Sequence, residues 1–245
     1  MSSRPTTPPH GWGNDTLTAY LQEFRGNQFA TFHNKRQEMA DLIALDGLFE
    51  RLLKGAKDPD PQMPMTFLLR AHAAYRVAVS SVMGGQLYEA QALLRLALEH
   101  ASNGFFIGGD TARWTRWMKR NDDEKSKKLF REEFTSGAIR RAINKADAKI
   151  GGHFEFLYER LIDFGAHPNE RGFSMSTKLE KKPGETHILS IYLHDDGIPL
   201  DFALKNTAQI AICILQIAYL IYPTRMEIQQ IRHDLDQITT RACCF

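Results

Sequence analysis

The sequence predicts a mostly α fold, a multi-helix bundle carrying one small β-hairpin insertion. Apolar residues recur at helical spacing over most of the chain. Gly-Gly, Asp-Pro and Gly-x-x-Pro clusters cut that pattern into segments, and an alternating period emerges only between Gly172 and Pro199. At 245 residues, 43% hydrophobic and 24% charged, the composition suits an ordinary globular chain with one substantial core.

Residues 1–13, rich in Pro, Ser, Thr and Gly, are expected to form a disordered tail, and 14–245 a single domain. Asn14 or Asp15 can cap a first helix. Its apolar face begins at Leu17, Leu21, Phe24 and Phe29 and continues through Met39, Leu42, Ile43, Leu45, Leu48 and Leu52. This is one long helix, or two with a break near Gly26 or Asn34. Asp58-Pro59-Asp60-Pro61 is a stop, because proline disfavours helix at the residue before it. Gly84-Gly85 splits a helical pair at about 64–83 and 86–106. Asp110-Thr111 caps a short helix containing Trp114 and Trp117. Helices over 121–134 and 136–150 follow, the second ended by Gly151-Gly152, and one over 153–164 is stopped by Gly165 and Pro168.

Phe173, Met175 and Thr177, then Ile188, Leu189, Ile191 and Leu193, alternate on either side of Lys181-Lys182-Pro183-Gly184. They predict a hairpin near 173–194, docked on helices because a lone hairpin is marginal. A strongly buried helix over 201–222 and an amphipathic one over 223–240 complete the chain.

The composition excludes several classes. Net charge is +2, so no global field calls for a nucleic-acid or membrane partner. The three cysteines, Cys213, Cys243 and Cys244, lack the number and spacing of a disulfide framework or zinc knuckle. The N-terminus lacks a charged-then-apolar leader. The most apolar stretch, 210–222, is interrupted by Gln216 and is shorter than the roughly 20 residues of a spanning helix. A cytoplasmic protein with no membrane partner is expected. No Gly-x-Gly-x-x-Gly, Gly-Lys-Ser/Thr, His-Glu-x-x-His, Glu-x-x-His or Gly-x-Ser-x-Gly occurs. No cofactor and no metal site is implied.

Three constellations stand out. Arg95 and Glu99 sit at i,i+4 on a nearly all-apolar helix, with Tyr88, Ala92 and Ser102 on the same face. They read as a structural ion pair, or as a polar pocket faced by His72, Arg76 or His167. If the pair is buried, losing Glu99 would cost roughly 3–5 kcal/mol. His167, held out of helical geometry by Pro168, stands at a helix terminus, where an imidazole titrating near neutrality suits proton transfer or simple capping. Finally, residues 111–150 hold twelve Lys or Arg against six Asp or Glu. Arg113, Arg116, Trp117, Arg120, Arg141 and Lys145 are the candidates there for RNA contact, with Lys149 on the same stripe as the last two. The competing reading makes Trp114 and Trp117 half-buried core anchors.

The Tyr88-Glu-Ala…Leu94-Arg95-x-x-x-Glu99 helix, together with Tyr158-x-x-Leu161…His167, resembles HEPN-like helical-bundle proteins of bacterial defence and mobile-element contexts, over about residues 65–170. Many such proteins are metal-independent ribonucleases with an Arg-x(4–6)-His motif, acting at a homodimer interface, and others are non-catalytic. Arg95 to His100 and Arg160 to His167 have that spacing. The resemblance implies RNA cleavage by attack of the ribose 2′-hydroxyl on the adjacent phosphate. His100 or His167 would be the general acid or base, and Arg95, organised by Glu99, would stabilise the transition-state charge. Two functions stay open: an RNA-binding, RNA-cleaving protein, or a non-enzymatic interaction module that docks a protein partner around a buried Arg95–Glu99 pair.

Overall fold

The computed structural model describes residues 7–166, 168 and 170–242. Among these residues the chain forms twelve α-helices and one antiparallel hairpin. The first four helices are α1 (Thr16–Asn34), α2 (Arg36–Leu53), α3 (Gln62–Met83) and α4 (Leu87–Gly108). Shorter ones follow: α5 (Thr111–Met118), α6 (Glu124–Glu133), α7 (Ser136–Ala146) and α8 (Ala148–Leu161). A π-helical turn (Ile162–Ala166) leads to α9 (Glu170–Ser176), β1 (Thr177–Lys182) and β2 (Glu185–Ser190). The chain closes with α10 (Ile198–Ile221), α11 (Pro223–Ile228) and α12 (Ile231–Ala242). The mostly α bundle with a small hairpin is therefore the observed fold.

The centre is the antiparallel α3–α4 pair with α10 packed across both, and α2, α8 and α12 around it. α10 is buried on nearly every side from Leu200 to Ala218. By length and composition it could cross a membrane, but 67% of its apolar window is buried in the bundle, as in a core helix. Local chemistry sets the helix starts. The Asp15, Asp110, Asp123 and Asp147 carboxylates and the Thr135 hydroxyl accept from backbone N–H groups of the first turns of α1, α5, α6, α8 and α7.

Of the alternatives for the first helical stretch, the structure takes the two-helix one: the chain breaks at Lys35, beside Asn34, and runs unbroken through Gly26. Other elements differ from expectation. The helix expected over 136–150 ends at Ala146, and Gly151-Gly152 lie inside α8. Gly151 serves a close helix crossing instead: a Cβ there would lie 2.5 Å from Asn144 Cα. The final helix divides at Gln229–Gln230, where Gln230 adopts φ +54°. Of the expected disordered tail, residues 1–6 lie outside the described residues, while Trp12 N–H bonds Pro9 O and Asn14 N–H bonds Gly11 O in two successive turns.

The hairpin is shorter than expected, and its apolar side chains stay largely exposed. Phe173 and Met175 belong to α9, where Ser176 Oγ donates back to Gly172 O, and Ile191 and Leu193 fall beyond β2. Three alternating residues also fit one and a half helical turns, so the period could not decide. Leu179 and Ile188 pair across the strands yet are 61% and 72% exposed. The returning chain is tied to the bundle at the α3–α4 turn, where His194 N–H donates to Gly85 O at 2.9 Å.

Gly85 has φ +91°, and a Cβ there would lie 2.6 Å from His194 O. Gly85→Ala is expected to lower stability by about 2 kcal/mol or more, from strain plus the clash. Gly55→Ala, at φ +67° with nothing within 4 Å, should cost only about 1 kcal/mol. Urea unfolding of the two variants checks the difference.

Candidate functional site

α4 carries Arg95 and Glu99 one turn apart on the face that meets α8. Arg95 Nε donates to Glu99 Oε1 at 2.8 Å, and Arg95 Nη2 donates to Tyr158 Oη at 3.0 Å. Tyr158 Oη in turn donates to Glu99 Oε1 at 3.0 Å, closing a three-membered ring. The guanidinium also sits 5.2 Å from the centroid of the Tyr158 ring. Burial works against the Arg95 charge, but Glu99 outweighs it and holds the group above its ordinary pKa. Burial, reinforced by Glu99, pushes the Tyr158 phenol up. The ring is only half buried, with side-chain exposures of 20% for Arg95 and 36% for Glu99.

His100 does not join this group. Five residues along a helix turn the side chain by about 140°, and His100 lies instead by Phe67 of α3, with ring centroids 6.2 Å apart. Burial and the nearby Arg70 lower its pKa. His167 lies outside the described residues. The turn leading towards it packs on α4, where a Cβ on Gly165 would lie 2.8 Å from Tyr88 Cδ2.

Arg160 points into the bundle, donating to Gln209 Oε1 at 2.6 Å and Asn206 Oδ1 at 3.3 Å, 4.3 Å from the Phe156 ring centroid. Burial lowers its pKa. His72 and Arg76 form a separate cluster with Asp46 and Glu50 of α2. Asp46, Glu50 and His72 bring ligand atoms within 4.8 Å of one another. Arg76 already bridges the two carboxylates, with Nε and Nη2 each 2.8 Å from Asp46 and Nη2 also on Glu50. The cluster's negative charge is thus met by protein.

The basic region divides in two. Arg113 and Arg116 both hold Glu133, Arg116 with Nη2 at 2.6 Å, and Arg113 also donates to Phe106 O at 2.7 Å. Arg120 caps Trp117 O at 2.9 Å and covers the Trp117 ring at 4.1 Å. Trp117 is wedged edge-on against Phe67 and stacked with Trp114, so both indoles are half-buried anchors. Arg140 bridges Glu155 and Glu159. Arg141 and Lys145 on α7, and Lys149 in the first turn of α8, are exposed and form no ion pair among the described residues.

Lys149 also lines a cleft of about 460 Å³ between α8, α10 and α12. His153 and Gln216 meet in its wall at 3.2 Å, Nδ1 to Oε1, and burial lowers the His153 pKa. Tyr219 Oη and Arg232 Nη1 are hydrogen-bonded beside it, both reaching Glu227. In the sequence, Gln216 stands out only as an interruption of an apolar run. A lone amide on the most apolar helix was the available signal, but its partner His153 depends on how α8 crosses α10.

Searches of family models, curated proteins and solved structures find no match to this chain.

Because the Arg95–Glu99–Tyr158 ring is open to solvent on one side, Glu99→Ala should cost about 1 kcal/mol, well under the cost for a buried pair. A shift of the urea midpoint equivalent to 3 kcal/mol or more would mean that the ring is closed to water in solution.

Proposed function

We propose that the protein is a HEPN-like helical bundle of the cytoplasm that binds single-stranded RNA through the α7–α8 face. One observation carries this reading: Arg141, Lys145 and Lys149 are exposed, recur every four residues across the α7–α8 junction and form no ion pair among the described residues, whereas Arg113, Arg116, Arg120 and Arg140 are each held by carboxylates or carbonyls and other exposed cations, Lys119 and Arg131 among them, stand apart from that run. Three such cations, two on α7 and one in the first turn of α8 beyond the break at Asp147, can neutralise phosphates and release counterions, while paired ones must first break an existing bond. In this reading Arg95 and Glu99 act as a tie between α4 and α8, and Trp117 as a core anchor. The same ring supports the second reading, a non-enzymatic module docking a protein partner, to the extent that its charges are spent inside the fold.

The test is a salt titration of fluorescent single-stranded RNA binding, for the native protein and for Arg141→Gln/Lys145→Gln/Lys149→Gln. Loss of three phosphate contacts should reduce the slope of log K against log salt by about 2, and affinity by at least about tenfold. An unchanged slope would overturn the assignment of the face, and no binding at low salt would favour the protein-partner module. RNA cut in EDTA, with cutting lost in Arg95→Ala or His167→Ala, would replace binding by metal-independent cleavage.

A further inference from the structure

The hairpin is a two-stranded sheet, so β1 and β2 each keep one open edge. Their register sets Thr177 opposite Ser190, Leu179 opposite Ile188 and Lys181 opposite Thr186. Ile191 N–H donates to Ser176 O at 2.8 Å, which makes 176 and 191 a hydrogen-bonded pair. Such pairs alternate along an antiparallel ladder, so Lys178, Glu180 and Lys182 turn their backbone groups inward to β2. Leu179 and Lys181 therefore aim both N–H and C=O outward, and Thr177 its C=O. No backbone bond from another element reaches Leu179 or Lys181 among the described residues. An edge of this kind is a template for a further strand.

The side chains of β1 select which strand fits. A second β1 laid antiparallel about a two-fold axis at Leu179 brings each Lys178 opposite the other copy's Glu180. Leu179 then faces Leu179, and Thr177 faces Lys181. The hydrogen-bonding parity agrees, because Leu179 N–H meets Leu179 C=O and Lys181 N–H meets Thr177 C=O across the axis. Neighbouring registers are opposed by charge. An axis at Lys178, Glu180 or Lys181 sets that residue against its own copy, and the one at Glu180 also sets Lys178 against Lys182. On β2, an axis at Ile188 joins no charged pair, and one at Thr186 runs into the Pro183-Gly184 turn.

Lys178 and Glu180 are 66% and 40% exposed and hold each other along the strand at 3.4 Å. Pairing about Leu179 would join them to the same two groups of the second copy in one alternating row. On the other face, exposed Leu179 and Ile188 would extend into an apolar row across both hairpins.

We propose that the chain self-associates through the β1 edge, a second copy completing a four-stranded antiparallel sheet centred on Leu179. The shared edge runs only from Thr177 to Lys181, so the dimer is weak and concentration-dependent. It has no residue in common with the α7–α8 face and does not rest on the RNA reading.

The test is sedimentation equilibrium of the full chain at low salt, from about 1 to 500 μM. The native chain should show a monomer–dimer equilibrium. Lys178→Glu and Glu180→Lys should each weaken it by about tenfold, since two like-charge contacts replace two opposite ones. The double variant Lys178→Glu/Glu180→Lys should restore it. Mixed together, the two single variants should form a heterodimer tighter than either homodimer. A pair that served only to hold one strand, or a hairpin that unfolded in the variants, would give no such preference. Monomer at every concentration would overturn the proposal. So would dimerisation indifferent to the single changes, or a mixture without preference for the heterodimer.

Discussion

The architecture depends on a short polar chain buried where α4, α8 and α10 meet. Asn206, fully buried on the most apolar helix, donates to Gln91 Oε1 of α4 at 3.0 Å, and Gln91 in turn donates to Leu87 O. Arg160 of α8 completes the chain by donating to Asn206 Oδ1. Amides removed from water cost several kcal/mol unless matched, so sliding any of the three helices by one turn would strand them. Apolar packing alone would tolerate several registers, and these bonds select one. Every candidate site hangs on that choice. Arg95 lies one turn beyond Gln91, Tyr158 and His153 lie two and seven residues before Arg160 on α8, and Gln216 lies ten residues beyond Asn206 on the same helix.

Charge is distributed by the same logic. The 111–150 region is rich in Lys and Arg, yet composition says little about what those groups do. Where α5 packs against α6, Glu133 and the Phe106 carbonyl take up Arg113 and Arg116, and these cations cement a helix corner. On α7, Arg141 and Lys145 are exposed and form no ion pair among the described residues. A basic run thus divides into cations that hold the fold together and cations available to a partner. Only the second kind bears on nucleic-acid binding, since an ion pair already formed must be broken before a phosphate gains anything.

Much of the fold was legible because the breakers were chemically explicit: the Asp-Pro segment, Gly84-Gly85 and the Asp caps act locally. What was misread involved residues with two roles. Gly151-Gly152 looked like a stop, but Gly151 is a contact surface for Asn144, which only the α7–α8 crossing reveals. Phe173 and Met175 alternated over too short a span for period to distinguish strand from helix. At the site, the Arg95–Glu99 pair followed from i,i+4 spacing, and the separation of His100 from Arg95 is equally implicit in the helical period. Tyr158 and His153 were not assignable as partners, because helix crossings are set by tertiary packing and leave no mark at either position alone.

Central to the account is the proposal that the partner-facing charge of this bundle lies on α7–α8, while the half-buried Arg95 ring ties α4 to α8. Photocrosslinking to 4-thiouridine-substituted single-stranded RNA, followed by peptide mapping, tests it most directly. The account predicts adducts in 136–149, around Arg141, Lys145 and Lys149. Adducts concentrated on α4 near Arg95, with none in α7–α8, would contradict it.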